Sequence, residues 1–169
     1  MWLEFFDNFN GVSPFHHHEW VGNDSLELFT DAAGSIGYGG YYNGHWFQGH
    51  WSPDILALSP SIAFMEFYPL VVAVNCWGPS LANRKVNFRT DNSAVVHIIN
   101  KQSSRCETII KLVRCFVCKC LCYNISFKAT HVAGVQNVIA DSLSRFQMDR
   151  FRAVAPNADV VMTPFTDPI

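Results

Sequence analysis

No lysine or arginine occurs before Arg84, although the chain holds 12 of them. Up to that point it carries eight acids and no base, and from there on 12 bases against six acids. An acidic half is joined to a basic one. Such a split suits a protein that gathers metal ions at one place and phosphates at another, although charge runs are most often solvated faces. The same absence rules out the basic start of a secretory leader, so no signal peptide is expected. Charge is scarce throughout, 15% of residues against 49% apolar, which points to a globular chain over most of its 169 residues, enough for one domain with a proper core. Long apolar runs are lacking as well. Glu66 and Pro69 interrupt the longest, Ile62 to Trp77, before it reaches the ~18 residues of a membrane span, so no membrane partner is expected.

Zinc-site spacing is also missing. Four of the six cysteines crowd into Cys115-Phe-Val-Cys118-Lys-Cys120-Leu-Cys122, yet no second CxxC and no histidine lies at ligand distance in sequence. On a helix the four sulfurs would not face one way. Small, buried, reduced thiols are the better account. His16-His17-His18 is read as a surface loop rather than a metal site.

What is present is an ordered series of elements. Leu26 to Ala32, Ile36 to Tyr42 and His45 to Trp51 read as strands, and Asn43-Gly44 is a strong hairpin signal, so three consecutive antiparallel strands are expected. Ser59-Pro60-Ser61 opens an almost wholly apolar helix from Ile62 to Trp77, in which Pro69 predicts a kink or the true first turn. Val86 to Thr90 is a strand, and Asp91-Asn92-Ser93 opens a helix through Ile99. A longer helix spans Glu107 to Tyr123, a strand Ile125 to Ala129, and a last helix Val138 to Phe146. The order predicts an α/β chain of the α+β kind, a mixed sheet with helices packed on it. Its parts are an N-terminal extension or end of a preceding region over 1–25, one domain over 26–146 and a loose tail over 147–169.

Acids stand in awkward places in this frame. Asp31 lies in a strand-like run, where it either opens the turn Asp31-Ala-Ala-Gly34 or does chemistry. Glu66 interrupts an apolar helix, Asp91 follows a strand and Asp141 sits on the last helix. Thr30-Asp31-Ala32, the Glu66 helix, Thr90-Asp91-Asn92 and His131-Val-Ala-Gly134-Val-Gln-Asn137-Val-Ile-Ala140-Asp141-Ser-Leu143-Ser144-Arg145 resemble the ribonuclease H domain of retrotransposon reverse transcriptases. The Leu143-Ser-Arg-Phe-Gln ending and the Asp31-Ala-Ala-Gly opening look most like the DIRS group of tyrosine-recombinase retroelements, more than the gypsy type. The resemblance covers Leu26 to Phe146, about three quarters of the chain.

The resemblance implies a ribonuclease H-like fold: three antiparallel strands, then alternating helices and strands. It also implies roles. Asp31, Glu66, Asp91 and Asp141 match four metal-binding carboxylates, and His131 matches a loop histidine that helps move protons or release product. Such a set would hold two Mg²⁺ ions, with Mn²⁺ as substitute, about 3.5–4 Å apart. Asn92 and Asn137 are expected to fix loops or touch substrate. Lys101 and Arg105, with Lys111, Arg114 and Lys119, are expected to grip an RNA–DNA hybrid, weakly because bases are few. The implied activity is endonucleolytic cleavage of the RNA strand, read through 2′-hydroxyls. No organic cofactor is expected, and the location would be intracellular, cytoplasmic or nuclear. The Asp-Asp pair of a polymerase site is absent, so the chain would be a fragment or remnant of a larger polyprotein whose polymerase portion is its partner. Two rivals stand beside this reading: a catalytically idle module that grips hybrid or props up a polymerase, and a different nuclease or strand-transferase on the same fold.

Overall fold

Short strands and one thick apolar helix set the architecture. The structure, a computed structural model, describes residue 7, residues 19–131 and residues 137–168. The His16 to His18 triplet lies outside the described residues. The chain is mixed α/β. β1 (Trp20–Gly22) is followed by a helical turn, α1 (Asn23–Leu26), and then by β2 (Leu28–Ala33), β3 (Gly37–Tyr42) and β4 (His45–His50). These last three form an antiparallel meander in the order β2-β3-β4, with Asp31 opposite Gly39. Asn43 and Gly44 both take positive φ, 46° and 92°, the conformation that the tight β3–β4 hairpin demands.

Asp31 is therefore a strand residue and not the start of a turn. The expected single mixed sheet is divided in two. A second sheet, all parallel, has the order β1-β5-β6, with β5 (Lys85–Thr90) in the centre and β6 (Ser126–His131) at one side. The physical cause is α1, which turns the chain between β1 and β2. The ladder along β5 stops at Gly22 opposite Asn87, and β2 pairs with β3 alone among the described residues.

α2 (Pro53–Ala57), which the sequence reading lacks, is capped by Ser52, whose hydroxyl accepts from the Ile55 amide. α3 (Ile62–Trp77) is capped in the same way by Ser61. It begins well before Pro69, so that proline does not mark its first turn. Phe67, Val71, Val72 and Val74 are fully buried, because α3 packs on β2 and β3 and on α5 (Glu107–Cys122). A 3₁₀ turn, Gly78–Leu81, follows α3 directly. Together they make a helical stretch of 20 residues, long and apolar enough to cross a membrane by length and composition, contrary to the sequence reading. Its most apolar window is 61% buried inside the protein, which is the condition of a core helix.

α4 (Ser93–Lys101) is capped by Asn92, and α6 (Val138–Ser144) ends two residues short of Phe146. α5 has two faces. Ile109, Leu112, Val113, Phe116 and Cys120 enter the core, where the Phe116 ring meets Phe67, Phe88 and Phe127. All six cysteines are reduced. Cys120 is buried as expected, Cys115 and Cys118 are half-buried, and Cys122 is exposed because it falls on the outward face.

The tail departs most from its expectation. It forms α7 (Met148–Val154) and then runs along β4, whose outer edge would otherwise leave its backbone groups unpaired. The Asp159 amide donates to the Gly44 carbonyl at 2.9 Å and the Thr163 amide to that of Trp46 at 2.8 Å. Farther on, the Asp167 carboxylate accepts from the hydroxyls of the buried Tyr38 and Tyr68 at 2.9 and 2.8 Å. Burial and this carboxylate together push both phenols far above their ordinary pKa.

Candidate active site

Each of the four acids arrives on a different element. Asp31 comes from the middle of β2, Glu66 from α3, Asp91 from the residue after β5, and Asp141 from α6. Asp91 and His131 both stand at the carboxyl ends of parallel strands, since Thr90 is paired with His131. That edge is the usual place for ligands on parallel sheets. His131 is the last residue of β6 rather than a loop residue. Its Nε2 lies 3.0 Å from the Asp91 carbonyl oxygen. A carbonyl only accepts, so Nε2 carries the proton and, in the neutral ring, Nδ1 is left as an acceptor.

Asp31 and Asp141 are brought together by close packing of α6 over β3. Gly39, directly across from Asp31, makes this possible. A Cβ there would stand 2.5 Å from Leu143 Cβ and 2.9 Å from the Ser144 amide nitrogen. The fully buried Ser144 hydroxyl thereby reaches Asp31 Oδ2 at 2.6 Å, and it also lies 3.0 Å from the Asp141 carbonyl. Asn137, at the start of α6, donates from Nδ2 to the Thr30 carbonyl at 2.8 Å and ties the same helix to β2. Its Oδ1 is buried without a partner among the described residues.

Electrostatics record the convergence. The Asp31 carboxyl is raised above the ordinary range, first by burial and then by the charges of Asp141 and Asp91, against the lowering influence of Ser144 and Arg145. Glu66 is pushed up to about 7 by burial and by the charges of Asp31 and Asp91. Asp141 behaves oppositely. Burial works against its charge, but Arg145 Nε at 2.7 Å and Arg150 Nη1 at 2.6 Å donate to its two oxygens and hold it below the ordinary range.

Asp31, Glu66 and Asp91 are hard oxygen donors whose mutual repulsion a divalent cation would relieve, so the chemistry of the set fits Mg²⁺ or Mn²⁺. Asp141 joins such a set only by exchanging an arginine for the ion. In the arrangement seen, no three acid, histidine or cysteine side chains among the described residues stand close enough to share one ion.

The other expected site residues fall as follows. Asn92 uses its side-chain carbonyl to accept from the Ala94 and Val95 amides at 3.0 and 3.2 Å, which fixes the start of α4 beside Asp91. Lys101 ends α4 and Arg105 lies in the bend before α5, both exposed. Lys111, Arg114 and Lys119 line a separate cavity whose walls include none of the four acids. Sequence reasoning missed Ser144, Arg145 and Arg150. Ser144 follows Asp141 by three residues, a spacing that puts both on one helix face, and this was the available signal. Arg150 was hidden in the stretch taken for a loose tail. Asn100 was missed as well: it donates to and accepts from the Ala129 backbone at 2.8 Å, pinning α4 to β6. Compared with known proteins, the chain matches no protein-family model, and neither a curated sequence nor a solved structure matches it significantly.

Proposed function

We propose that this chain is a metal-dependent endonuclease of the ribonuclease H type, cutting the RNA strand of RNA–DNA hybrids as part of a retrotransposon reverse transcriptase or a remnant of one. The carrying observation is that Asp31 on β2 and Glu66 on α3 are both raised by burial and by neighbouring acids, Asp31 by Asp141 and Asp91 and Glu66 by Asp31 and Asp91. A stable fold has little use for such repulsion, and a cation-binding site does.

Asp31, Glu66 and Asp91 would hold the ions, with Asp141 as the further ligand once freed from its arginines. Bound divalent ions activate water and neutralise charge on a leaving oxygen. The rest belongs to the chain. Ser144 fixes the Asp31 carboxylate by donating to one oxygen. Arg145 and Arg150 neutralise Asp141, and the same guanidinium groups suit phosphate, so an entering strand has two partners there. The His131 ring, aligned by its bond to the Asp91 carbonyl, offers Nδ1 to a proton leaving the site.

One observation favours the idle-module reading: both Asp141 oxygens are already engaged by arginine. A labelled RNA–DNA hybrid incubated with Mg²⁺, Mn²⁺ or EDTA separates the two. Metal-dependent release of short RNA ending in 3′-hydroxyl is expected. Hybrid binding without cleavage under every metal condition would establish the idle module instead.

A further inference from the structure

Among the described residues, Asp141 alone of the four acids is ion-paired, and both of its carboxylate oxygens are taken. Arg145 Nε donates to Oδ1 at 2.7 Å and Arg150 Nη1 to Oδ2 at 2.6 Å. One arginine four residues along a helix is ordinarily a weak surface pair. Here a second guanidinium arrives from α7, where its Nη1 also donates to Gln147 Oε1 at 2.9 Å. α7 itself is anchored, because the ring of the fully buried Phe151 meets Trp46 and Tyr41. The arginine side chains, rather than the helix, are what can leave. They are 45% and 44% exposed, so solvent or an anion can receive them.

Two cations on one carboxylate repel a third. Arg145 bears on Asp31 as well as on Asp141, so at this corner of the cluster it supplies part of the positive charge that a divalent ion would bring. Ion and arginines therefore compete for Asp141. Phosphodiester oxygens compete with Asp141 for the arginines, whose planar donors suit phosphate as well as carboxylate. Two competitions that share the arginines make strand and ion favour each other's binding.

We propose that Arg145 and Arg150 form a strand-sensitive latch on Asp141. In the free protein they hold its carboxylate closed to divalent ions, and the phosphates of a bound nucleic-acid strand draw them off and open it. The inference rests on the nuclease reading for the identity of the strand and the ion, and it adds an order of events: strand first, complete metal site second. The engaged Asp141 is then the resting state of a working site and not the mark of an idle one. Both arginines are positioning residues that act through Asp141.

The test is Mn²⁺ titration of the full chain without nucleic acid, followed by electron paramagnetic resonance. Arg145→Gln/Arg150→Gln should bind Mn²⁺ more tightly than the wild type, by roughly three- to tenfold, about what two half-exposed ion pairs supply. Adding Asp141→Asn to that variant should remove the gain, because the freed carboxylate is what binds. Arg152→Gln is the charge control: it stands on the same helix but donates to the carbonyls of Ala158, Asp159 and Val160, and it should leave Mn²⁺ affinity unchanged. In EDTA, fluorescence anisotropy with a labelled RNA–DNA hybrid should show the double arginine variant binding more weakly than the wild type, by about threefold or more. Equal Mn²⁺ affinity in wild type and double variant, a gain that survives Asp141→Asn or is matched by Arg152→Gln, or undiminished hybrid affinity would overturn the latch. None of these readouts uses cleavage. If the affinities shift as expected while the wild type cuts no hybrid under any metal condition, the nuclease reading falls and the latch stands. If the wild type cuts hybrid and the affinities do not shift, the latch falls alone.

Discussion

Replacing Glu66 by Gln removes one charge from the carboxylate cluster and keeps the shape of the side chain. In the folded protein this carboxyl titrates near 7 instead of near 4.5. The folded state therefore binds more protons than the unfolded chain between those values, and wild-type stability falls as pH rises through that window. Below about 4.5 the group is neutral in both states and costs nothing. A displacement of that size corresponds to about 3.4 kcal/mol at ~1.36 kcal/mol per pH unit, but Glu66 is only half-buried, and solvent screening reduces this to about 1–2 kcal/mol. No hydrogen bond to its carboxylate occurs among the described residues, so the amide forfeits none there. Glu66→Gln should match the wild type at pH 4.5 in EDTA and melt higher at pH 8, by roughly 2–8 °C for a chain of this length. Paired thermal melts at the two pH values measure this. A variant that melts lower than wild type at pH 8, or a difference that does not change with pH, would refute the claim that Glu66 faces other acids.

Asp91→Asn should leave the circular dichroism spectrum and melting point close to wild type while abolishing hybrid cleavage. Near-normal turnover would remove Asp91 from the site. Ser144→Ala deletes the donor to Asp31 and should cost about 1.5–3 kcal/mol in urea denaturation at pH 8. The loss should shrink as pH is lowered and Asp31 protonates. Gly39→Ala drives a methyl group into Leu143 and the Ser144 backbone and should cost about 1–3 kcal/mol. It should also reduce cleavage per folded molecule, because α6 must lift and carry Ser144 and Asp141 away from Asp31. Retained stability and cleavage in that variant would show that α6 does not depend on the close approach.

Periodicity and turn chemistry made most elements legible. The β3–β4 hairpin followed from Asn43-Gly44, and α3 from Ser61 and an almost wholly apolar run. The four acids were found from the strangeness of their settings. What escaped depended on tertiary contact. Nothing local says that α1 ends the pairing with β5 and divides the sheet, because that outcome rests on where β2 finds hydrogen-bond partners. The tail looked loose because its residues are small, acidic or proline. Its order comes from an open β4 edge and two tyrosine hydroxyls far away in sequence. Arg150 was lost with it. The Asp141 arginines expose a second limit, since spacing identifies a carboxylate without revealing what already occupies it.

The bond from Tyr38 to Asp167 spans 129 residues and gives the molecule a direction in time. During synthesis the β3–β4 hairpin leaves the ribosome long before the segment that covers its edge and accepts the hydrogen bond of its Tyr38 hydroxyl. At ~5–20 residues per second the interval is about 6–26 s. Through most of it, β4 presents an unpaired edge and the aromatic rings of Tyr38, Trp46 and Phe47 await Phe165 and the α7 segment. A chain interrupted before Asp159 keeps that edge open, a sticky species that chaperones would hold and neighbouring copies would capture, whereas one cut just before Asp167 keeps the cover on β4 and loses the acceptor of the two tyrosine hydroxyls.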